Sequence, residues 1–308
     1  MEAAQRGTKR SKDFAVNQQW LEQQFEANRN HLWGVAYRLL ASPTEADDAV
    51  QEAWIRLSRS DTEDVNNLAG WLTTVVARVS LDMLRSRKTR REEPIDEHLP
   101  DLMLKQEGGI DPQYEALLAE SVGLALLVVL DRLTPAERLA FVLHDMFSLT
   151  FDEIAPIVGR SSTATRQLAS RARRRVQGKA FDTTESDLSR QRKIAEAFLA
   201  ASREGNFNAL LELLDPNVVL RADAVAAPPG GSEIFGAQTV ARGATSFPER
   251  ARFAELALVD GMVGIIVAPQ GQLRMVLGLT MRNGKVTEVE IMANPERLHR
   301  LDIALLES

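Results

Sequence analysis

The sequence predicts a multidomain protein with two all-α helical domains followed by one α+β domain. Apolar residues recur at three- and four-residue spacing up to about residue 177, which is the period of an α-helix. A stretch rich in proline, glycine and acidic residues, 94–115, interrupts that pattern. After Thr183, two further helical segments are followed by strand candidates, which are separated by dipeptides typical of turns. A length of 308 residues fits two or three domains of ordinary size.

The composition excludes several classes of protein. Hydrophobic residues make up 44% of the chain and charged residues 26%, as in ordinary globular proteins. Because there is no cysteine, disulfides and thiolate metal sites are excluded, and we expect no metal and no cofactor. The longest apolar run, Val122–Leu130, is too short for a membrane span, and the N-terminus lacks the apolar stretch of a signal peptide. We therefore expect a cytoplasmic protein without a membrane partner, and a disordered tail over the polar residues 1–17.

Charge is separated along the chain. The net charge of −6, taken alone, argues against binding to a polyanion. However, residues 160–179 include seven basic residues and no acid, and residues 85–91 include five basic residues and no acid. The stretch 92–120 instead holds nine acids against one lysine. The two basic islands predict contact with nucleic acid.

Residues 18–93 form the first predicted helical domain. The spacing of apolar residues predicts helices over Trp20–Leu40 and Thr44–Leu57, and a longer third helix that begins at Leu68. The polar stretch Ser58–Asn67 separates the second helix from the third.

An acidic linker, 94–115, leads to the second predicted helical domain, 116–179. Its first helix, Val122–Leu133, is apolar enough to be buried. Two helix starts follow, each with a threonine cap and a glutamate three residues later, at Thr134–Glu137 and Thr150–Glu153.

The segment Thr150–Gln177 predicts a helix-turn-helix. A short capped helix runs to Val158, Gly159 supplies the turn, and Ser161 opens an arginine-rich helix. The second helix of such a unit enters the DNA major groove, where its first turns reach base edges and its end reaches phosphates. The candidate DNA contacts are Arg160, Ser162, Thr163, Arg166, Gln167, Ser170, Arg171, Arg173, Arg174 and Arg175. The alternative is that the arginines only complement the helix dipole.

This second domain resembles region four of sigma factors of the extracytoplasmic-function type, within the sigma-70 family. The residues that carry the resemblance are Leu133–Arg138, Phe151–Ala155 and Gly159–Ser161. In the first domain, Glu45–Trp54 resembles the region-two helix that docks on the polymerase clamp coiled coil, and Leu68–Arg85 resembles the helix that faces the −10 element. The resemblance implies transcription initiation, with RNA polymerase core and promoter DNA as partners and the −35 element on the second domain.

The resemblance also implies two kinds of contact for the first domain. Promoter opening needs a base held out of the stack, and the loop Ser58–Asn67 is the predicted pocket. The predicted −10 contacts are Asn66, Asn67, Trp71, Arg78, Arg85, Arg87 and Lys88, and the predicted polymerase contacts are Asp47, Asp48, Gln51 and Glu52. Core packing by the tryptophan, helix capping by the asparagines and a merely solvated acidic face are the alternatives.

Residues 188–308, after a short linker over 180–187, predict the α+β domain. Helical patterns over Leu188–Glu204 and Asn206–Leu214 open it, and the dipeptide Asn283-Gly284 marks its clearest hairpin. The strand candidates are Val218–Ala222, Ala251–Val259, Met262–Ala268, Gln272–Arg282 and Lys285–Ala293.

The last domain resembles the SnoaL-like group, a cone-shaped sheet wrapped by helices around an apolar cavity. Its segment Asn294–Leu298 is similar to the Asn-Pro-Asp-Lys-Leu signature of sigma factors with such a fused domain. That subgroup carries a glycine-rich stretch after the aspartate of the first strand, whereas Asp223 is followed here by alanines and a valine over 224–227. The resemblance implies a regulatory module with a candidate small-molecule ligand. The candidate regulatory residues are Asp223, Asn294, Pro295 and Leu298.

Two other functions stay open at this point. A polymerase-independent helix-turn-helix regulator would sense a small molecule through the C-terminal cavity and bind DNA without polymerase. An isomerase-like enzyme would use Asp223 as a general base if burial raised the pKa of its carboxyl group. No second catalytic partner is evident, so we expect a protein that is not an enzyme.

Overall fold

The computed structural model describes residues 2–60, 67–90, 123–178, 185–227, 232–246 and 251–306. The chain divides into two compact units, of which unit one holds residues 1–110 and 134–170 and unit two holds 111–133 and 171–308. The predicted second helical domain, 116–179, is thus divided between the two units. The predicted linker over 94–115 lies outside the described residues, and the predicted domain boundaries stay predictions.

The first predicted domain consists of three helices, α1 Glu2–Leu40, α2 Pro43–Arg59 and α3 Leu68–Arg90. α1 differs from the prediction because it begins at Glu2, within the stretch 1–17 where a disordered tail was expected. That stretch has no proline and a single glycine, Gly7, and its alanine, glutamate, lysine and arginine residues have high helix propensity.

The three helices pack on one another through apolar side chains. Leu32, Leu39, Leu57 and Leu72 are completely buried and represent all three helices. The turn before α2 ends at Ser42, whose hydroxyl accepts the backbone N–H of Glu45 at 3.3 Å as an N-cap.

Four helices form the second predicted domain: α4 Leu124–Asp131, α5 Pro135–Phe141, α6 Phe151–Val158 and α7 Ser162–Gln177. One turn of π-helix, Val142–Met146, extends α5. Both predicted capping boxes, which begin α5 and α6, are present. α4 belongs to unit two and α5 and α6 to unit one, while α7 begins in unit one and ends in unit two.

The C-terminal part is an α+β fold, which confirms the predicted class. Its elements are α8 Glu185–Glu204, α9 Phe207–Leu213, β1 Leu214–Ala222, β2 Glu233–Phe235, α10 Ala237–Thr245, β3 Ala254–Val259, β4 Met262–Val267, a 3₁₀ turn Pro269–Gly271, β5 Met275–Arg282, β6 Lys285–Met292, α11 Pro295–Arg300 and β7 Ile303–Ala304. The seven strands form one sheet in the order β2-β1-β6-β5-β4-β3-β7. The pairing is antiparallel except between β1 and β6.

Two tight hairpins set the register of the sheet. Asn283 and Gly284 both have positive φ, at 52° and 78°, and join β5 to β6 as predicted. Asp260 and Gly261 do the same between β3 and β4. One apolar core, to which α8–α10 and the strands contribute, includes Phe198. Among the described helices, none is both long and apolar enough to cross a membrane.

Candidate nucleic-acid interface

The helix-turn-helix is built from strong local signals. The Thr150 hydroxyl accepts the backbone N–H of Glu153 at 3.3 Å, and the glutamate carboxylate accepts the backbone N–H of Thr150 at 2.8 Å. The Thr150 hydroxyl also donates to that carboxylate at 2.7 Å, and this hydrogen bond together with the one from the Thr150 N–H lowers the pKa of Glu153. α6 ends at Gly159, whose φ of 73° is left-handed, and the Ser161 hydroxyl then accepts the N–H of Ala164 at the start of α7.

The first turns of α7 present most of the predicted base contacts to solvent. Thr163, Arg166, Gln167 and Ser170 are exposed, and Arg160 in the turn is exposed as well. These exposed positions agree with the predicted DNA-facing side of α7.

Two other hydroxyls of α7 are already engaged. The Ser162 hydroxyl donates to the carboxylate of Asp152 on α6, so this predicted base contact lies beside an acid. Thr165 is completely buried and its hydroxyl donates to the carbonyl of Ser161. The Ser162 contact joins the start of α7 to α6, whereas the Thr165 contact lies within the first turn of α7.

An aromatic platform lies under Arg166. The guanidinium carbon lies 5.4 Å from the ring centroid of Phe151, the first residue of α6. The ring centroid of His144 lies 3.9 Å from that of Phe151, and the His144 Nδ1 donates to the carbonyl of Leu149 at 2.8 Å. The platform limits the orientations of Arg166. No local pattern in the sequence predicts this platform, because it joins three separate helical segments.

We expect Phe151→Leu to weaken −35-dependent DNA binding by about two- to fivefold, the usual contribution of an exposed cation–π contact. Phe151→Tyr keeps the ring face and serves as the matched control. The measurement is promoter affinity, repeated in an Arg166→Ala background. If Phe151→Leu costs as much in that background as in the wild type, the ring acts on the fold and not on the arginine.

The end of α7 carries the basic cluster predicted to contact phosphates. Arg171, Arg174 and Arg175 are exposed, while Ala172 and Val176 are buried. The helix thus has one basic face and one packed face.

The residues predicted to contact the −10 element differ in their exposure and in their hydrogen bonds. Arg78 and Arg85 are exposed on α3, and Trp71 is half-buried. The Asn67 carboxamide oxygen accepts the N–H of Gly70 at 3.0 Å, so this residue caps α3, as the alternative interpretation held. Asn66 lies outside the described residues.

Arg87 has a structural role in unit one, unlike the predicted contact with the DNA backbone. Its guanidinium donates to the carboxylate of Glu45, at 2.9 Å for one of the contacts, and to the carbonyl of Leu40, also at 2.9 Å. It therefore joins the end of α3 to the end of α1 and the start of α2. Three contacts made in the folded chain, two to Glu45 and one to Leu40, leave little of this guanidinium for phosphate. The side chain of Lys88 lies outside the described residues.

The predicted polymerase contacts lie on one exposed face of α2. Asp47, Asp48 and Gln51 are exposed, and Glu52 forms an ion pair with Arg56 at 2.8 Å. Desolvation raises the pKa of Asp47. The spacing of these residues along the helix keeps them on neighbouring turns.

A cleft beside this face was not predicted. Phe25 on α1 and Trp54 on α2 lie with ring centroids 5.0 Å apart, and the guanidinium of Arg29 lies 5.8 Å from the Phe25 ring. Glu22 and Glu26 complete the lining. The signal in the sequence was an aromatic residue on each of two helices, but their pairing needs the fold.

Within unit one, the first predicted domain also contacts α5 and its π-turn. Arg138 on α5 is only 2% exposed, and its Nε donates to the carbonyl of Arg38 at 3.2 Å. Burial raises the pKa of Tyr37 to about 12, against the effect of Arg138. Phe147 lies edge-on to His31, with centroids 5.3 Å apart, and beneath the guanidinium of Arg38 at the same distance. These contacts span about a hundred residues, so no local pattern predicts them.

The carboxylate of Asp223 accepts hydrogen bonds from four backbone N–H groups. One carboxylate oxygen accepts the N–H groups of Ala293 and Asn294, at 2.7 and 2.8 Å, and the other accepts those of Val225 and Ala226, at 3.1 and 3.0 Å. Desolvation alone would raise the pKa of Asp223, but the four hydrogen bonds outweigh it and the pKa is lowered. The condition for a general base, a raised pKa, is therefore not met.

The four hydrogen bonds join two motifs that the sequence analysis treated separately. Asn294 caps α11 by accepting the N–H of Arg297 at 3.1 Å, Pro295 is the first helical residue, and Leu298 is buried. Asp223 thus fixes the segment Asn294–Leu298 against the end of β1, without the glycine-rich stretch expected after it.

Comparisons with known protein families match the two predicted helical domains separately. Residues 24–90 match the family described as Sigma-70 region 2, and residues 123–176 match Sigma-70, region 4. The ECF RNA polymerase sigma factor SigJ of Mycobacterium tuberculosis is 36% identical over 287 residues, which are 89% of this chain and 92% of SigJ. The probable ECF RNA polymerase sigma factor SigI of the same organism is 34% identical and is covered to 94%. The crystal structure of SigJ has a TM-score of 0.44, covering 90% of this chain and 97% of that one.

Proposed function

We propose which surfaces of this chain, which belongs to the extracytoplasmic-function RNA polymerase sigma factors, contact promoter DNA and which contact the polymerase. As a sigma factor, it directs RNA polymerase core to specific promoters for transcription initiation. In our proposal α7 reads the −35 element, α3 faces the −10 element, and the acidic face of α2 binds the polymerase.

The observation that carries this assignment is the exposed side of α7. Polar side chains able to read base edges, among them Arg166 and Gln167, occupy its first turns, and arginines follow without an acid up to its end. A helix that only complemented its own dipole would need basic residues in its last turn alone. For α3, Arg78 and Arg85 support the proposal, while Arg87 does not.

The C-terminal domain is proposed to be a regulatory module rather than an enzyme. Asp223, the one candidate base, accepts four backbone N–H groups, and this supports a structural role. The small-molecule ligand stays a prediction. The comparisons support the sigma factor and give no support to a polymerase-independent regulator. We propose that the protein acts in the cytoplasm, where its polymerase and promoters are.

We expect Asp48→Lys to lower the affinity for core polymerase about tenfold or more, because it reverses a charge at the centre of the proposed docking face. Affinity is measured by titrating labelled full-length chain with core polymerase that lacks a sigma factor. Glu204→Lys, an equal charge reversal at an exposed position at the end of α8, is the matched control and should bind as the wild type does. Equal losses in both variants would show that only net charge matters and would remove α2 from the proposal.

A further inference from the structure

One helix of region four depends on the C-terminal domain for its environment. α4 has the sequence Leu-Ala-Leu-Leu-Val-Val-Leu-Asp, and five of its eight residues are buried. A helix that is apolar on all sides must be covered on all sides. In unit two, α4 packs against β3, β7 and the 3₁₀ turn Pro269–Gly271.

The N-terminus of α4 is capped by a residue from β3. The cap position is Gly123, which has no side chain to accept the free N–H groups of the first turn. Glu255 supplies the acceptor instead, since its carboxylate accepts the N–H of Ala125 at 2.9 Å. A negative charge at a helix N-terminus is also favourable to the dipole.

The short distance to the Glu255 carboxylate explains why residue 123 is a glycine, whereas its backbone conformation does not require one. Its φ of −58° is open to any residue, so no left-handed conformation requires glycine here. A Cβ at this position would lie 2.4 Å from a carboxylate oxygen of Glu255. The glycine thus leaves room for the carboxylate of Glu255, which lies 130 residues beyond Ala125 in the chain.

The C-terminus of α4 is held by the segment around α11. The guanidinium of Arg132, the C-cap residue, donates to the carbonyl of Leu298 at 2.8 Å and to that of Leu301. A planar guanidinium can bind two such acceptors at once. Leu298 belongs to the Asn294–Leu298 motif that Asp223 fixes, so one connected set of contacts runs from β1 through α11 to α4.

The end of α7 is attached to the same domain. The carbonyl of Val176 accepts the N–H of Leu305 at 2.9 Å. Gly178 follows with a φ of 69°, and a Cβ there would lie 2.4 Å from the Cβ of Ala304. The helix α4 and the end of α7 therefore both contact the C-terminal domain.

We propose that the C-terminal domain is a structural component of region four: Glu255 caps the N-terminus of α4, the segment around α11 holds Arg132 at its C-terminus, and Leu305 holds the basic end of α7. Only the part of this inference that concerns DNA binding rests on the proposed function. It gives the regulatory domain a mechanism: whatever displaces Glu255 uncaps the N-terminus of α4, and whatever displaces α11 releases Arg132 at its C-terminus.

The test compares full-length variants by amide hydrogen exchange of the α4 peptide and by transcription from a −35-dependent promoter. Glu255→Ala and Gly123→Ala should each exchange about fivefold or more faster in α4, as expected when a helix cap is lost, while α1–α3 exchange as in the wild type. Glu255→Gln keeps an acceptor and should retain most of the protection. Glu233→Ala removes an exposed carboxylate from β2 and is the matched control.

Transcription should fall in the two uncapped variants and not in the control. Unchanged α4 exchange in both uncapped variants would overturn the cap. Faster exchange with unchanged transcription would overturn the link between the cap and DNA reading. The absence of promoter-dependent transcription in the wild-type protein would instead refute the proposed function, and the exchange data would still decide the cap.

Discussion

Arg166→Ala is expected to lower transcription from a cognate promoter between about fivefold and 150-fold, because a bidentate base contact contributes about 1–3 kcal/mol of discrimination. Arg166 is exposed on the second turn of α7 and is supported by Phe151. The loss should depend on sequence, so that the variant tolerates a changed base pair at one −35 position that the wild type rejects. The measurement is initiation from a set of −35 point variants.

A phosphate contact should behave differently, which provides the internal comparison. Arg174→Ala should weaken binding to all these promoters alike and reduce the salt dependence by about one ion. Arg192→Ala removes a basic residue from α8, outside the helix-turn-helix, and should leave both measurements unchanged. A uniform loss for Arg166→Ala would contradict base reading and would place that arginine among the phosphate contacts.

Asp223→Asn is expected to destabilise unit two by about 2–6 kcal/mol. The amide retains one oxygen, so two of the four backbone N–H groups would face an NH₂ group that cannot accept them, and unsatisfied donors cost 1–3 kcal/mol each. Denaturant unfolding of the full chain measures the change. Asp215→Asn, on β1, whose carboxylate accepts one hydrogen bond from the N–H of Asn217, is the matched control.

The same carboxylate predicts a pH dependence. Because the folded pKa of Asp223 lies below its ordinary value of 3.8, its contribution to stability is present above that value and is lost as the pH falls through the lowered folded pKa. The difference in stability between the wild type and Asp223→Asn should therefore shrink below about pH 4. A difference that is constant down to pH 2 would show that the variant acts through packing alone.

Local chemistry made much of the fold predictable. The capping boxes that begin at Thr134 and Thr150, the left-handed Gly159 and the Asn283-Gly284 hairpin are each specified within four or five residues, and all are present. The strands β2 and β7 were missed because they contain three and two residues, too few to show a period.

The parts of the site that could not be predicted depend on distant residues. Arg87 belongs to a basic run that is typical of DNA contacts, yet its partner Glu45 lies 42 residues earlier. The cap of α4 joins Ala125 to Glu255, and the buried Arg138 reaches Arg38. In each case the sequence shows a charged residue, but only the fold shows whether its partner is DNA or protein.

The most direct test of the central claim is start-site selection by purified core polymerase on genomic DNA, with and without this protein. We predict defined start sites only when the protein is present, each preceded by a shared −35 sequence whose effect disappears with Arg166→Ala. Start sites that are the same with and without the protein would contradict the claim that it is what directs the polymerase to promoters.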